Sequence, residues 1–427
     1  MSKLHFLIAI LCLLTCHLSA QKTYIQCGRL IDGISNTTQQ TVTIVVEGNK
    51  ITGIEKGYAK GSETDNVIDL KNKTVLPGLI DCHVHLESQF SKTTLIEGFT
   101  RPDPEVAYYG AMYAKRTLMA GFTTVRDCGG SGVNISLRNA INKGLVDGPN
   151  ILTAGRAISA TGGHMDPSVG IRDDAMRSTP GPAEGVADGK DELMKAVRAQ
   201  FKKGADLIKI ASTGGVLDLS KDGSGAQFTV EEIKAVVETA KDYGMKVACH
   251  AHGAEGIKRA ILGGVASIEH GTFMDDEDIA LARRYGTYYV PTIIAGKSVA
   301  DSAKIPGYFP PVITVKALEV GPHIQQTFAK AYKAGVKIAF GTDAGVYAHG
   351  KNYIEFQYMT EAGMPAMEAI KAATASAAEL LGIIQERGTI SINKMADIIA
   401  VSGDPLQDVK VLGTIDFIMK EGKIYKK

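Results

Sequence analysis

The rhythm of hydrophobic and polar positions changes several times along the chain. Lys3 precedes an unbroken apolar run from Phe6 to Leu14, and the stretch ends Leu18-Ser19-Ala20. A basic start, a short apolar core and a small exit residue predict a secretory signal peptide over residues 1–20, and with it export to the periplasm or the extracellular space. The run is too short for the ~20 apolar residues of a membrane span, and no later stretch reaches that length. Thr15 is a poor neighbour for lipid attachment at Cys16, so cleavage after Ala20 is expected. Residues 21–75 then alternate in short β-branched runs, such as Thr41–Val46, the turn Glu47–Lys50 and Ile51–Ile54. Residues 386–427 have the same texture in Asp397–Val401 and Thr414–Met419. Neither piece can bury a core alone, which predicts one small β-sandwich domain built from both chain ends.

Between them, residues 76–385 alternate apolar strand candidates with segments of helical period. The strands are Val75–Ile80, Gly121–Val125, Asn150–Ala154, Asp206–Ile210, Lys246–Cys249, Ala266–Ile268, Thr287–Val290 and Lys337–Phe340. Helices are predicted over Asp191–Lys203, Val230–Tyr243, Glu255–Leu262, Asp276–Tyr285 and Gln325–Ala334. This α/β alternation predicts a (β/α)8 TIM barrel. A doubly wound open sheet is the competitor, but no glycine-rich dinucleotide fingerprint follows the first strand. Residues 161–189, rich in Gly, Asp and Pro, form a connection long enough to suggest a lid or an assembly element.

Composition narrows the class. Charged residues make up 22% and hydrophobic ones 44% of 427 residues, which excludes a disordered chain. Beyond Lys3 the two signs balance, which gives no support for a nucleic-acid or anionic-membrane partner. Glycine, at 47 residues, points to many tight turns. Cys27, Cys82, Cys128 and Cys249 are too scattered for a disulfide framework and read as buried small residues.

In a barrel the reactive groups sit where strands end. His83 and His85 lie two apart after the first strand and can share a ligand. The fifth strand ends His250-Ala251-His252, the sixth Glu269-His270 and the eighth Gly341-Thr342-Asp343. Such a set at one end of the barrel predicts a zinc-like metal site. Lys209 stands at an inward position of the apolar strand Asp206–Ile210, where desolvation and nearby cations disfavour an ammonium. It can lose its proton, react with carbon dioxide to give a bridging carbamate, or reach out to a surface carboxylate.

His83-x-His85, Lys209, His250, His270 and Asp343, in this order on these strands, resemble the binuclear metal-dependent hydrolases of the amidohydrolase superfamily. The resemblance runs from Leu76-Pro77-Gly78-Leu79-Ile80-Asp81 to Lys394-Met395-Ala396-Asp397-Ile398. Gly162-Gly163-His164, His250-Ala251-His252-Gly253 and Gly341-Thr342-Asp343-Ala344-Gly345 narrow it to the imidazolonepropionase-like and Xaa-Pro-dipeptidase-like branch, to which ochratoxin-degrading amidohydrolases are similar. It implies two divalent ions, most simply zinc, with Lys209 N-carboxylated, and hydrolysis of dipeptides or N-acyl amino acids. The expected ligands are His83, His85 and Asp343 for one ion and His250 and His270 for the other, with Lys209 between them. A hydroxide shared by the ions is the expected nucleophile, and Asp343 the general base and acid.

His164 and His252 are candidates for assisting catalysis and contacting substrate. Arg156 is a candidate for holding a carboxylate, and Tyr347 and His349 for walls of the site. Arg126-Asp127 reads as scaffolding, and His323 receives no role. A small-molecule substrate and a homo-oligomer are expected. The competitors are a cyclic-amide or lactone hydrolase on the same binuclear site, a one-metal deaminase that does not need Lys209, and, least favoured, a non-catalytic barrel scaffold.

Overall fold

The structure, a computed structural model, describes residues 21–427 other than residue 177. The proposed signal peptide lies outside the described residues. Strands β1 (Lys22–Leu30), β2 (Gln39–Glu47), β3 (Lys50–Lys56) and β4 (Asn66–Pro77) open the chain. Buried Ile68 and Leu70 alternate with exposed Asp69 and Lys71 in β4, the period-two pattern of a strand with one covered face.

At Gly78, whose amide donates to Asp397 O (2.8 Å), the chain leaves this sheet for the interior. The predicted strand Val75–Ile80 is therefore two strands: its first residues end β4, and β5 (Leu79–Val84) carries His83 within it. Strands β5, β6 (Phe122–Asp127) and β7 (Asn150–Thr153) form a parallel three-stranded sheet. A parallel four-stranded sheet holds β8 (Ile208–Ala211), β9 (Val247–Ala251), β10 (Ser267–His270) and β11 (Tyr288–Val290). Most are buried along their whole length, which is why they read as continuous apolar runs rather than alternating ones.

Hydrogen bonds carry on between the two sheets. Ile158, beyond β7, donates to Lys209 O (2.8 Å) and accepts from Ala211 N (3.1 Å). The predicted strand Lys337–Phe340 is not a regular strand; only Ile338 bridges, to Tyr289. Ala339 N still bonds Tyr289 O (3.1 Å) and Cys82 N bonds Phe340 O (2.8 Å), so the segment lies between β11 and β5. It fails as a ladder because Phe340 N turns away to Ala372 O (2.9 Å).

Helices fill the connections: α1 (Thr94–Thr100), α2 (Asp103–Met119), α3 (Val133–Asn142), α4 (Gly189–Lys203), α5 (Val230–Asp242), α6 (Ala254–Gly263) and α7 (Asp276–Tyr285). Thr229 with Glu232 and Asp275 with Asp278 form the capping boxes that start α5 and α7. Between β11 and residue 337 stand α8 (Ile293–Ala303) and the long α9 (Pro311–Lys333), of which the helical period predicted only the last third. Helices α10 (Ile354–Glu361), α11 (Ala366–Ala372) and α12 (Ala375–Leu381) follow.

The last strands, β12 (Ile398–Ser402), β13 (Ile415–Lys420) and β14 (Lys423–Lys426), rejoin the first sheet. The order β14-β13-β12-β4-β1-β2-β3 gives a seven-stranded sheet from both chain ends. Its own core packs Ile25, Ile44 and Val75 against Ile398 and Phe417. Lys50, opening the edge strand β3, bridges Met395 just before β12, so the sheet curls back toward its middle.

Candidate metal centre

His83, His85, His164, His250, His252, His270 and Asp343 line one cavity of ≈190 Å³. The ligand atoms of His83, His270 and Asp343 lie within 4.8 Å of one another. His83 Nε2 and His85 Nε2 stand 3.6 and 3.3 Å from Asp343 Oδ1. The His250 ring lies 4.7 Å from that of His270 and 4.3 Å from that of His164, centroid to centroid.

Each imidazole is oriented through one nitrogen, which leaves the other for a ligand. His83 Nδ1 pairs with Glu269 Oε2 (2.8 Å), His85 Nδ1 with Gly129 O (2.6 Å) and His270 Nδ1 with Thr292 Oγ1 (2.8 Å). In these three, Nε2 faces the site. His250 is reversed: its Nε2 pairs with Gly214 O (3.1 Å), freeing Nδ1. His252 Nδ1 pairs with Thr272 Oγ1 (2.8 Å).

Behind these rings lies a layer that sequence reasoning missed or undervalued. Arg126, read as scaffolding, donates to Glu269 Oε1 (2.7 Å) and Ser267 Oγ (3.0 Å), and through Glu269 it fixes His83. The clue was Glu269 itself, a carboxylate two residues after Ser267 on a buried strand. Asp81 accepts from His83 N (3.0 Å), Thr342 Oγ1 (2.6 Å) and Asn352 Nδ2 (2.8 Å), which locks β5 to the residue preceding Asp343. His270, Thr292 and Asp343 have φ of 69°, 51° and 59°, left-handed backbone that costs roughly 1–3 kcal/mol at a non-glycine residue. Such strain persists only where the surroundings over-determine it, and here it turns three polar side chains into one cavity.

The electrostatics suit cation binding. Burial first, and the Lys209 charge second, push His83 down to about 4. Burial with His164 beside it pushes His252 to about 3, and burial also holds His250 and His270 well below their ordinary value. His85 differs: burial opposes its cation, but Asp343 carries it above the ordinary range. Asp343 is held low against burial by His83 and His85. For His83, His250 and His270, neutral imidazoles beside an ionised carboxylate are the protonation states that metal ligands need, whereas His85 would have to give up a proton to bind an ion. Asp343 Oδ1 is buried without a hydrogen-bond partner, an orphan acceptor that a divalent ion satisfies.

Lys209 is fully buried behind His83, its Nζ 3.3 Å from His83 Nε2. No carboxylate pairs with it among the described residues, so the surface-carboxylate reading does not hold. His164 reaches the cavity from the loop after β7, its Nδ1 2.5 Å from Asp218 Oδ2. Arg156 lines an adjoining cavity of ≈220 Å³ that shares His85 and Met165 with the first. Tyr347 and His349, expected as walls, do not line the main cavity. His349 stacks on Tyr113 at 4.7 Å and pairs with Ser88 O (2.9 Å), and the Tyr347 ring is taken into the core. The walls are instead aliphatic, with Val216 and Leu217 from the loop after β8 and Val299, Val320, Ile324 and Val346 opposite. The four described cysteines are unpaired and buried, and no helix among the described residues is long and apolar enough to cross a membrane.

Comparison with known proteins agrees with this geometry. The chain is 31% identical to ochratoxinase of Aspergillus niger over 437 aligned positions, covering 95% of this chain and 87% of that one. A solved Xaa-Pro dipeptidase with methionine bound in its active site shares 50% identity at a TM-score of 0.93, with 95% and 100% of the two chains covered. A prolidase complexed with N-methylphosphonate-L-proline shares 30% identity at a TM-score of 0.87, with 95% and 100% covered. The pattern of the amidohydrolase family matches residues 74–425, a span that takes in every histidine of the cavity and Asp343, and the chain belongs to that family.

Proposed function

We propose that the protein is an exported, zinc-dependent amidohydrolase cleaving the amide of dipeptides or N-acyl amino acids that keep a free C-terminal carboxylate. The observation that carries this reading is the pair of cavities meeting at His85 and Met165, one walled by aliphatic side chains and the other carrying Arg156. An acylated amino acid has that shape: an apolar acyl part, an amide in the middle and an anion at the end. The strands and residues 337–344 are read as a closed (β/α)8 barrel, with the seven-stranded sheet as a sandwich domain of residues 21–75 and 386–427. The neighbouring Xaa-Pro dipeptidase and prolidase, and the ochratoxinase relative, support the substrate class.

His83, His85 and Asp343 would hold one divalent ion and His250 and His270 a second, with Lys209, carboxylated on Nζ, between them. Bound there, the ions would supply Lewis-acid chemistry, lowering the pKa of water and polarising the scissile carbonyl. Asp343 accepts the proton of the attacking water and passes it to the departing nitrogen. His164 and His252 contact the carbonyl side of the substrate. Arg156 pairs with the α-carboxylate, a charged hydrogen bond worth roughly 1.5–3 kcal/mol, or about 10–200-fold in specificity.

The test compares an N-acyl-phenylalanine or Xaa-Pro substrate with its C-terminal amide. The acid should have kcat/KM higher by about 10–200-fold, and Arg156→Gln should remove most of that preference. Equal values for acid and amide would show that no carboxylate is read and make a lactone or cyclic amide the better substrate.

A further inference from the structure

The loop after β8 has a network that ligand binding alone does not explain. Lys316, on the second turn of α9 and 5% exposed, donates from one ammonium to four acceptors on this loop. These are Gly215 O (2.8 Å), Asp218 O (3.0 Å), Asp218 Oδ1 (2.9 Å) and Ser220 O (2.9 Å). Asp218 Oδ1 also accepts from Ser220 N (2.9 Å) and Ser220 Oγ (2.5 Å). Its other oxygen is left for His164 Nδ1 at 2.5 Å.

Two further observations aim this network at the site. A Cβ on Gly215 would lie 2.0 Å from His164 Cε1 and 2.1 Å from Nδ1, so the imidazole rests flat on bare backbone that only glycine supplies. The neighbouring Gly214 O orients His250, and Val216 and Leu217 of the same loop form the apolar wall. One buried cation on α9, beyond β11, thus sets the loop that carries both a wall of the cavity and the partner of His164.

We propose that Asp218, held by Lys316, is the positioning residue for His164: its carboxylate accepts the Nδ1–H hydrogen bond, which fixes the ring and presents Nε2 to the substrate. The functional half of this inference rests on the reading of His164 as a substrate contact. A merely structural role for Asp218 would cost the same whether or not His164 is present, whereas positioning vanishes with the group positioned.

The experiment is a double-substitution cycle on the metal-loaded, full-length enzyme, read together with proton NMR. Asp218→Asn should lower kcat/KM for an N-acyl amino acid by roughly 10–100-fold, the scale of misplacing a contact group by about an ångström. In a His164→Ala background the same change should cost less than about threefold, with metal content unaltered. The wild type should show an imidazole proton far downfield of the amide envelope, absent from Asp218→Asn and from His164→Ala. Ser220→Ala, which removes one donor without stranding a buried charge, should move that resonance but keep it, and it serves if Asp218→Asn does not fold. Additive losses, or a wild-type spectrum without the resonance, overturn the proposal. If no dipeptide or N-acyl amino acid is cleaved, the substrate reading fails, and the resonance alone decides the positioning.

Discussion

Replacing Glu269 by glutamine tests whether the layer behind the proposed ligands controls the candidate metal site. The carboxylate bonds Arg126 and Ser267 through Oε1 and His83 through Oε2. An amide of the same shape has one acceptor where the site needs two. If its nitrogen faces Arg126, two donors collide at a 2.7 Å contact. If it faces His83, the ring must move its proton to Nε2, the atom turned toward Asp343 and Lys209. Arg126 and Glu269 are 3% and 0% exposed, so breaking the pair costs about 3–5 kcal/mol, the range for an uncompensated buried charge. At about 2.1 cal/mol/K of unfolding entropy per residue, a chain of this size loses roughly 1.1 °C per kcal/mol, so the midpoint should fall by about 3–6 °C. Metal affinity should drop about 10–100-fold, as for other partners of ligating histidines. Thermal denaturation of the apoprotein gives the first number, and competition with a calibrated chelator gives the second. Replacing both Arg126 and Glu269 by methionine should recover much of the midpoint but not the affinity, because His83 still lacks its acceptor. A Glu269→Gln protein with native midpoint and native metal affinity refutes the reasoning.

Asp343→Asn should keep its metals and lose about 10²–10⁴-fold in kcat, since the amide cannot take a proton; near-normal turnover would leave Asp343 a ligand only. Fully active enzyme should contain about two divalent ions per chain by elemental analysis. It should also show a carbamate rather than an amine at Lys209 in an electron-density map, and one ion at full activity sinks the bridging role.

The candidate site was legible in the sequence because its proposed ligands are polar residues on otherwise apolar strands. His83, Lys209, His250 and His270 could be found that way, and Lys209 is buried as its inward position predicts. Residues whose role depends on a partner far along the chain were not legible. Glu269 matters because Arg126 and His83 converge on it, and Asp218 because Lys316 approaches from α9. Tyr347 and His349 lie off the main cavity, and sequence distance from Asp343 does not show this, because core packing of Tyr347 and the contacts of His349 with Ser88 and Tyr113 decide where those side chains go. The length of α9 was missed because Gly321-Pro322 lies inside it, a pair that ordinarily ends a helix. Gly321 is there for packing: a Cβ would lie 2.3 Å from that of Ala300 on α8.

The joining of both chain ends in one sheet has a consequence for how the molecule is made. Strand β4 pairs with β12, and Thr74 Oγ1 bonds Gly403 O across 329 positions of sequence. During synthesis β4 is finished early and presents a bare edge until the last strands emerge from the ribosome. Contacts of such long range form slowly, because loop closure must precede any gain from pairing. An unpaired edge is meanwhile a template for other chains. A truncation after residue 396 would therefore spare every proposed metal ligand yet leave β4 permanently uncovered, and it should yield aggregates rather than a weakened enzyme.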